Sequence, residues 1–542
     1  MATPRLRIEL HMDDLKRLAE RARQAPLSDD DDATLKAALH TLGYVAQLVE
    51  DKAVTIAQLR QILFGATTEK TRDVLQRAGV DPEHPEGDTP PAPAPRERAA
   101  GHGRQGADAY AGATRVTVPH PRVHHGDRCP RCATGKLYAQ RDPGVLVRIV
   151  GQAPLAATVY QLEKLRCNLC GDVFTADPPP GIGSEKYDAT STSMVALLKY
   201  GTGVPFHRLE RLQADVQIPL PASTQWEMVA ETAAVVQPAL HALIRHAAQG
   251  EVIHNDDTTM TVLALAPGAR EPDVGDEAGS PASARTGVFT SGIVSTNDGQ
   301  RVALFFTGHR HAGENLARVL AERAANLGPP IHMCDALSRN LPKSLAVVLA
   351  HCLAHARRRF VDVTPSFPAE CRHVLETLRE VYRCDDEARA AGLSPGDRLA
   401  RHQTHSRPLM DDLHAWLTDQ LEAHQVEPNS GLGQAMTYLL KHWIRLTLFL
   451  RTPGAPLDNN VCERALKKAI LHRKNALFYR TPTGAQVGDL FMSLIHTCEL
   501  AGANPFDYLT ELQRHREALT ATPAAWMPWN YRDTLAALTT AT

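Results

Sequence analysis

Three carboxylates stand out by their surroundings: Asp256 in His254-Asn255-Asp256-Asp257-Thr258, Asp335 directly after Ile331-His332-Met333-Cys334, and Glu463 in Asp458-Asn459-Asn460-Val461-Cys462-Glu463-Arg464. Taken singly, such an Asp is a cap or turn residue, and Glu463, with Asn459 and Lys467 at i−4 and i+4, sits on a surface helix with ordinary ion pairs. Taken together they are carboxylates without a cation of their own, which repel one another and need one. Oxygen-only ligands with open positions suit Mg²⁺ or Mn²⁺. Two such ions roughly 3.5–4 Å apart can activate the attacking oxygen and stabilise the leaving oxygen of a phosphodiester displacement. Arg357, Arg358, Arg464, Lys467, Arg473 and Lys474 border these segments and are the candidate contacts to a phosphate backbone.

A second constellation is Cys129-Pro130-Arg131-Cys132 followed by Cys167-Asn168-Leu169-Cys170. Two such turns present four thiolates tetrahedrally to Zn²⁺, with Gly135 and Gly171 letting the backbone curl toward sulfur. A closed four-Cys site is structural, and Val145 to Val150 and Thr158 to Leu165 are expected to fill the gap as strands. His124 and His125 are secondary ligand candidates. His351 and His355 read as a strand end and a helix start instead of a second metal pair.

The carboxylates need elements to bring them together. Val252-Ile253 leads into Asp256, and strands are expected at Val288 to Val294, Val302 to Phe306, Ile331 to Cys334 and Leu345 to Leu349, with a helix from Gly313 to Ala325. That is the element order of an RNase H-like α/β fold, in which the first and fourth strands lie side by side and a later helix packs across them. Asp458 is the expected N-cap of that helix, whose apolar face is Val461, Cys462, Ala465, Leu466 and Ala469. Between Phe360 and Thr452 the pattern is helical and polar and reads as an insertion. Ahead of the core, Leu35, Leu42, Val49, Ile56 and Leu63 recur every seven positions, about four heptads of a coiled coil or of one amphipathic helix. Residues 81–115 are rich in Pro, Ala, Gly and Arg and read as a linker. Residues 190–248 are helical, as a helix–turn–helix or a plain spacer.

At 542 residues the chain exceeds one core, and its net charge of −2 confines any nucleic-acid contact to local patches. No apolar run approaches the roughly 20 residues that span a bilayer. With only four of ten cysteines in pairs, the chain reads as reduced, with a metal knuckle instead of a disulfide framework.

Over nearly its full length the chain resembles the DDE transposases of the insertion sequence sixty-six family, called TnpC. The segments that carry the resemblance are His254-Asn255-Asp256-Asp257-Thr258, Cys334-Asp335, Cys352-Leu353-Ala354-His355-Ala356-Arg357-Arg358-Arg359-Phe360, Asp458 to Arg464, and Arg473-Lys474-Asn475-Ala476-Leu477-Phe478. Leu63-Phe64-Gly65, Gly101-His102-Gly103-Arg104 and the paired Cys-x-x-Cys also look like the family. Asp257 stands where Glu is usual, Leu353 where an aromatic is usual, and Lys467-Lys468 where Arg-Pro is usual, so the chain resembles a divergent member. The resemblance implies Asp256, Asp335 and Glu463 as catalytic ligands of two Mg²⁺ or Mn²⁺ ions. It assigns no metal to Asp257, whose change to Asn is expected to cost far less. It also implies cleavage at element ends and transfer of the 3′-hydroxyl to target DNA. Two other classes fit the same residues: a zinc-stabilised DNA-binding regulator with an inert RNase H-like domain, and a hydrolytic nuclease that does not join strands. Implied partners are double-stranded DNA (terminal repeats and target), a second copy through the N-terminal helix, and accessory proteins, but no membrane; the implied location is the prokaryotic cytoplasm, at the nucleoid.

The expected organisation is a multidomain α/β chain. An N-terminal helical or coiled-coil segment (1–70) leads through a linker (71–120) to a zinc-binding module (121–180) and a helical module (181–248). The RNase H-like core follows in two parts, 249–352 and 455–500, around a helical insertion at 353–454, with a C-terminal segment at 501–542.

Overall fold

A computed structural model of the chain describes residues 70–78, 113, 115–119, 121–132, 134–138, 146, 148–149, 151–166, 173–181, 183, 185–265, 287–343 and 345–541. The heptad helix, the Gly101-His102-Gly103-Arg104 run, and Cys167 and Cys170 lie outside them. The chain divides into two compact units, Met1–Pro82 with Leu349–Asn459, and Glu83–Val348 with Asn460–Thr542.

The larger unit is built on a mixed sheet. A small antiparallel pair, β1 (Lys164–Arg166) and β2 (Val173–Thr175), precedes it. Its main strands are β3 (Val252–Thr259), β4 (Phe289–Asn297), β5 (Gln300–Gly308) and β6 (Ile331–Cys334), in the order β5-β4-β3-β6, and a further strand, β7 (Val348–His351), begins at this unit's boundary residue Val348. β3 runs antiparallel to β4 and parallel to β6, pairing Val252 with Ile331 and His254 with Met333. The first and fourth strands are therefore neighbours, as the RNase H-like order requires. Strands appear where β-branched and apolar residues run together, and Asp298-Gly299, both at positive φ, makes the tight turn between β4 and β5.

β5 is an edge strand, and a helix covers it. The backbone N–H groups of Ala303, Phe305 and Thr307 donate to Thr497 Oγ1 (3.1 Å), Ser493 Oγ (3.0 Å) and Asp489 Oδ2 (2.6 Å) on the Pro482–Leu500 helix. Every second residue of a strand advances about 6.8 Å and every fourth residue of a helix about 6 Å, so the two series stay nearly in step. Burial pushes the Asp489 carboxyl up to about 7, against the two bonds from Thr307.

Residues 181–248 form no separate module. The helices Ala189–Ala196, Phe206–Asp215 and Ala222–Ala248 bury Val195, Leu209, Val229 and Leu243 in the same core as Ile253, Ile293 and Leu304 of the sheet. The C-terminal stretch is likewise core: Tyr508 and Trp526 are fully buried, and Tyr508 Oη donates to Trp526 O at 2.8 Å. In the zinc-binding region the strands differ from expectation. Apart from Lys164 and Leu165, the described residues of 145–150 and 158–165 are not strand; β1 and β2 instead flank the segment holding Cys167 and Cys170.

The smaller unit is helical. Its Pro368–Ala390 and Pro395–Glu422 helices form a hairpin, with Gly392 at positive φ in the turn and Ser394 Oγ accepting from Asp397 N as a cap. Between them Asp385 is buried against Arg398 (2.6 Å), Arg389 (3.1 Å) and His402 (3.0 Å). The expected linker at 71–120 does not begin at Thr71. Thr71–Arg77 is a helix with Val74 and Leu75 buried, and Arg357 donates to Thr71 Oγ1 at 3.2 Å. An i, i+3, i+4 set of buried side chains overrides the Pro-rich composition that starts a few residues later. The two ends of the chain excursion that makes this unit meet: Leu353 N donates to Leu457 O (2.9 Å), and Asn459 N to Cys352 Sγ (3.3 Å).

Candidate active site

Side chains alternate across a strand, so Asp256 and Asp257 point to opposite faces of β3. On the Asp257 side the carboxylate is 1% exposed and paired with His311 Nδ1 at 2.9 Å and Arg339 at 3.1 Å. Ser291, its register partner on β4, accepts from Asn315 Nδ2 at 2.9 Å, which ties the Ala312–Leu320 helix to the same face. Asp257 is thus a buried structural anion. The expectation of a small cost for its replacement rests on its lack of a metal role; its burial gives it a stability role.

On the other face Asp256 is half-buried and pairs in register with Gly292. The Asn460–Ala476 helix sits directly on that glycine. A Cβ there would lie 3.0 Å from the Leu466 side chain, and Cys462 Sγ donates to Gly292 O at 3.3 Å. Burial first, then the charges of Asp256 and Glu463, push the Cys462 thiol well up, which keeps it protonated beside these carboxylates. Glu463 lies in the first turn of this helix, which begins at Asn460, one residue later than an N-cap at Asp458 would place it. The buried face is Cys462, Ala465, Leu466, Ala469 and His472, close to the apolar stripe expected from the sequence.

Asp335 follows β6 immediately, and its Oδ1 accepts from Leu337 N at 3.2 Å. The turn that follows brings in Asn340, whose Nδ2 donates to Asp335 Oδ1 at 2.6 Å and to Asp256 Oδ1 at 3.3 Å. One amide nitrogen therefore touches both aspartates, and Asp256 Oδ1 also accepts from Asp257 N at 2.8 Å. Two carboxylates therefore converge on one donor, and Glu463 is carried by the helix that sits over Gly292, the strand partner of Asp256.

The expected basic residues divide by surroundings. Arg464, Lys467 and Lys474 are carried by the Glu463 helix, and all three are exposed. Arg473 instead clamps β3: its guanidinium donates to Thr258 Oγ1 (3.1 Å), Thr259 Oγ1 (2.7 Å) and the Thr259 carbonyl. Arg357 and Arg358 belong to the other unit.

In the zinc-binding region Cys129 N donates to Gly135 O (2.7 Å), closing a knuckle in which Gly135 N (3.5 Å) and Thr134 Oγ1 (3.7 Å) donate to Cys132 Sγ. These donors, led by the Gly135 N–H, lower the Cys132 thiol to about 7, so the turn favours thiolate and fits a metal. His124 is held by Asp127 and His125 lies edge-on to Tyr138. None of the eight described cysteines is in a disulfide.

Sequence reasoning does not reach Asn340 or Gly292. Asn340 sits in Leu337-Ser338-Arg339-Asn340-Leu341-Pro342, a plain turn signal, and Gly292 lies mid-strand, where the only clue is that a glycine there implies close backbone approach.

Three proteins of Sinorhizobium fredii, each described as uncharacterized, are similar to this chain. y4hP is 26% identical over 398 residues, 69% of this chain and 68% of that protein. y4qI is 28% identical over 353 residues, 62% and 61% of the two chains. y4jD is 34% identical over 198 residues; this chain spans 38% of its length. Among the described residues no helix is long and apolar enough to cross a membrane. A family model described as "Transposase IS66 family" matches residues 186–487, which is more than half of the sequence and contains all three carboxylates, so the chain belongs to the IS66 family of transposases.

Proposed function

We propose that the protein cuts DNA at the ends of its element and joins the freed 3′-hydroxyl to target DNA, with Asp256, Asp335 and Glu463 as the catalytic metal ligands. The observation that carries this reading is the shared Asn340 donor on Asp256 and Asp335, with the Glu463 helix resting on the strand partner of Asp256. Mg²⁺ or Mn²⁺ bound there would activate the attacking oxygen and stabilise the leaving one. The chain's own part is to hold the three carboxylates still. Gly292 sets the height of the helix, Cys462 anchors its first turn, and Arg473 ties its last turn to β3. Arg464, Lys467 and Lys474 are suited to hold phosphates in line along the same helix. Replacing any one of these three by Ala should lower the salt slope of DNA binding by about one.

The zinc-binding reading joins Cys129 and Cys132 to Cys167 and Cys170 around one structural Zn²⁺. Purified protein should carry about one zinc per chain, and Cys132→Ser should release it; a wild-type preparation with no zinc overturns the reading.

The test of function is a strand-transfer assay with the element's own ends, in Mg²⁺ and in chelator. Joined product that needs the ion and disappears in Asp335→Asn is expected. Cleavage without joining would make the protein a nuclease. DNA binding without cleavage under any divalent ion would make it a regulator with an inert core.

A further inference from the structure

We infer that Asn340 is a positioning residue for the divalent-ion site, fixing the separation of the Asp256 and Asp335 carboxylates before an ion arrives; this rests on the metal-dependent reading above. Asn340 is fully buried in the Ser338–Asn340 turn. Its Nδ2 reaches one oxygen of each aspartate, at 2.6 and 3.3 Å, so each carboxylate keeps a second oxygen that this amide does not touch. Turned the other way, the amide would aim its own oxygen at two anions, so its orientation is set electrostatically. Its Oδ1 has no hydrogen-bond partner among the described residues, so satisfying that atom is not what holds the side chain in place.

The turn is fixed from three further sides. Asn255 Nδ2 donates to Asn340 O at 2.8 Å, and Asn255 Oδ1 in turn lies 2.8 Å from His332 Nε2 on β6. Arg339, the preceding residue, is paired with Asp257. Gly313 lets the Ala312–Leu320 helix come so close that a Cβ would fall 2.8 Å from Arg339 O and 2.3 Å from Leu341 O. A donor held this firmly between two like charges orients ligands; hydrogen-bond partners of metal ligands of this kind typically contribute 10–100-fold in ion affinity.

The experiment is Mn²⁺ titration of the full chain without DNA, read as free Mn²⁺ by electron paramagnetic resonance, with thermal melting in chelator as the fold control. Asn340→Leu, which keeps the volume and loses the donor, should weaken binding by about 10–100-fold. Asn340→Ser keeps one short donor and should lose less; it carries the test if the leucine variant does not melt cooperatively. Wild-type Mn²⁺ affinity in a folded Asn340 variant, even one that melts lower, assigns the residue to the fold alone and overturns the inference. Asp335→Asn separates the two claims. If Mn²⁺ binding survives that change, the carboxylate reading itself falls; if it is lost there but unaltered in the Asn340 variants, only the positioning role falls.

Discussion

Asp385 in the smaller unit is met by Arg398 at 2.6 Å, His402 at 3.0 Å and Arg389 at 3.1 Å, whereas Asp335 in the larger unit is met by the Asn340 amide at 2.6 Å and the Leu337 N–H at 3.2 Å. The first carboxylate has its countercharge built in. Burial alone would raise its pKa, yet the His402 hydrogen bond and the two arginine charges outweigh burial and leave it lowered. Described partners of the second are all neutral donors, and they hold it beside another aspartate. A closed ion cluster stabilises a fold; a carboxylate met by neutral donors beside a second carboxylate has the chemistry to take a cation from solution.

The comparison breaks most sharply at the open site. Asp335→Asn keeps size and removes charge, so strand cleavage should fall on the order of 10⁴-fold, with melting temperature and DNA affinity nearly unchanged. A melt as damaged as the activity would mean that Asp335 serves the fold, as Asp385 does. Gly292→Val tests the geometry without touching a ligand. Its side chain would lift the Glu463 helix from β3, and a displacement near 1 Å is enough for about a 10²-fold loss of cleavage. Unchanged turnover in that variant would show that the helix height does not matter.

At the closed cluster the effects should appear in stability alone. Asp385→Asn leaves the partly buried Arg398 and the buried His402 without their carboxylate and should cost about 3 kcal/mol in a denaturant melt. Because the folded carboxyl is lowered, its contribution is complete above the ordinary carboxylate range and is lost as pH falls through the lowered value. Wild type should therefore lose its advantage over Asp385→Asn in acid. Asp489 supplies the opposite sign and the smallest effect. Raised to about 7, it binds a proton in the folded chain where the unfolded chain is ionised. Stability relative to Asp489→Asn should fall as pH rises from about 4 to about 7, then level off. A flat difference across that window would mean that Thr307 holds the ionised form more strongly than burial opposes it.

Much of the scaffold is legible in the sequence because it is local. Ile331–Cys334 is a short apolar run bounded by a carboxylate, and the Glu463 helix shows its buried stripe at helical spacing, so both can be read from neighbouring residues. The contacts that make the site are not local. Asn340 meets Asp256 across 84 positions and Cys462 meets Gly292 across 170, and no periodicity records such a meeting. The same holds for Asp257, whose type suggests a spare carboxylate and whose partners Arg339 and His311 come from later segments. Residues 181–248 and the C-terminal stretch read as appendages because their apolar spacing shows that they bury a face and leaves open what they bury it against.

The joined ends of the smaller unit bear on how Glu463 reaches the sheet during folding. Cys352 and Asn459 are 107 positions apart yet hydrogen-bonded, so once that unit has formed, the chain re-enters beside the point where it left. For the polymer, an excursion of this length then behaves like a short hairpin, and the closure entropy for docking the Glu463 helix drops by about 2–3 kcal/mol. The helical excursion therefore gathers in its own slack and shortens the tether on which Glu463 is carried back to the sheet.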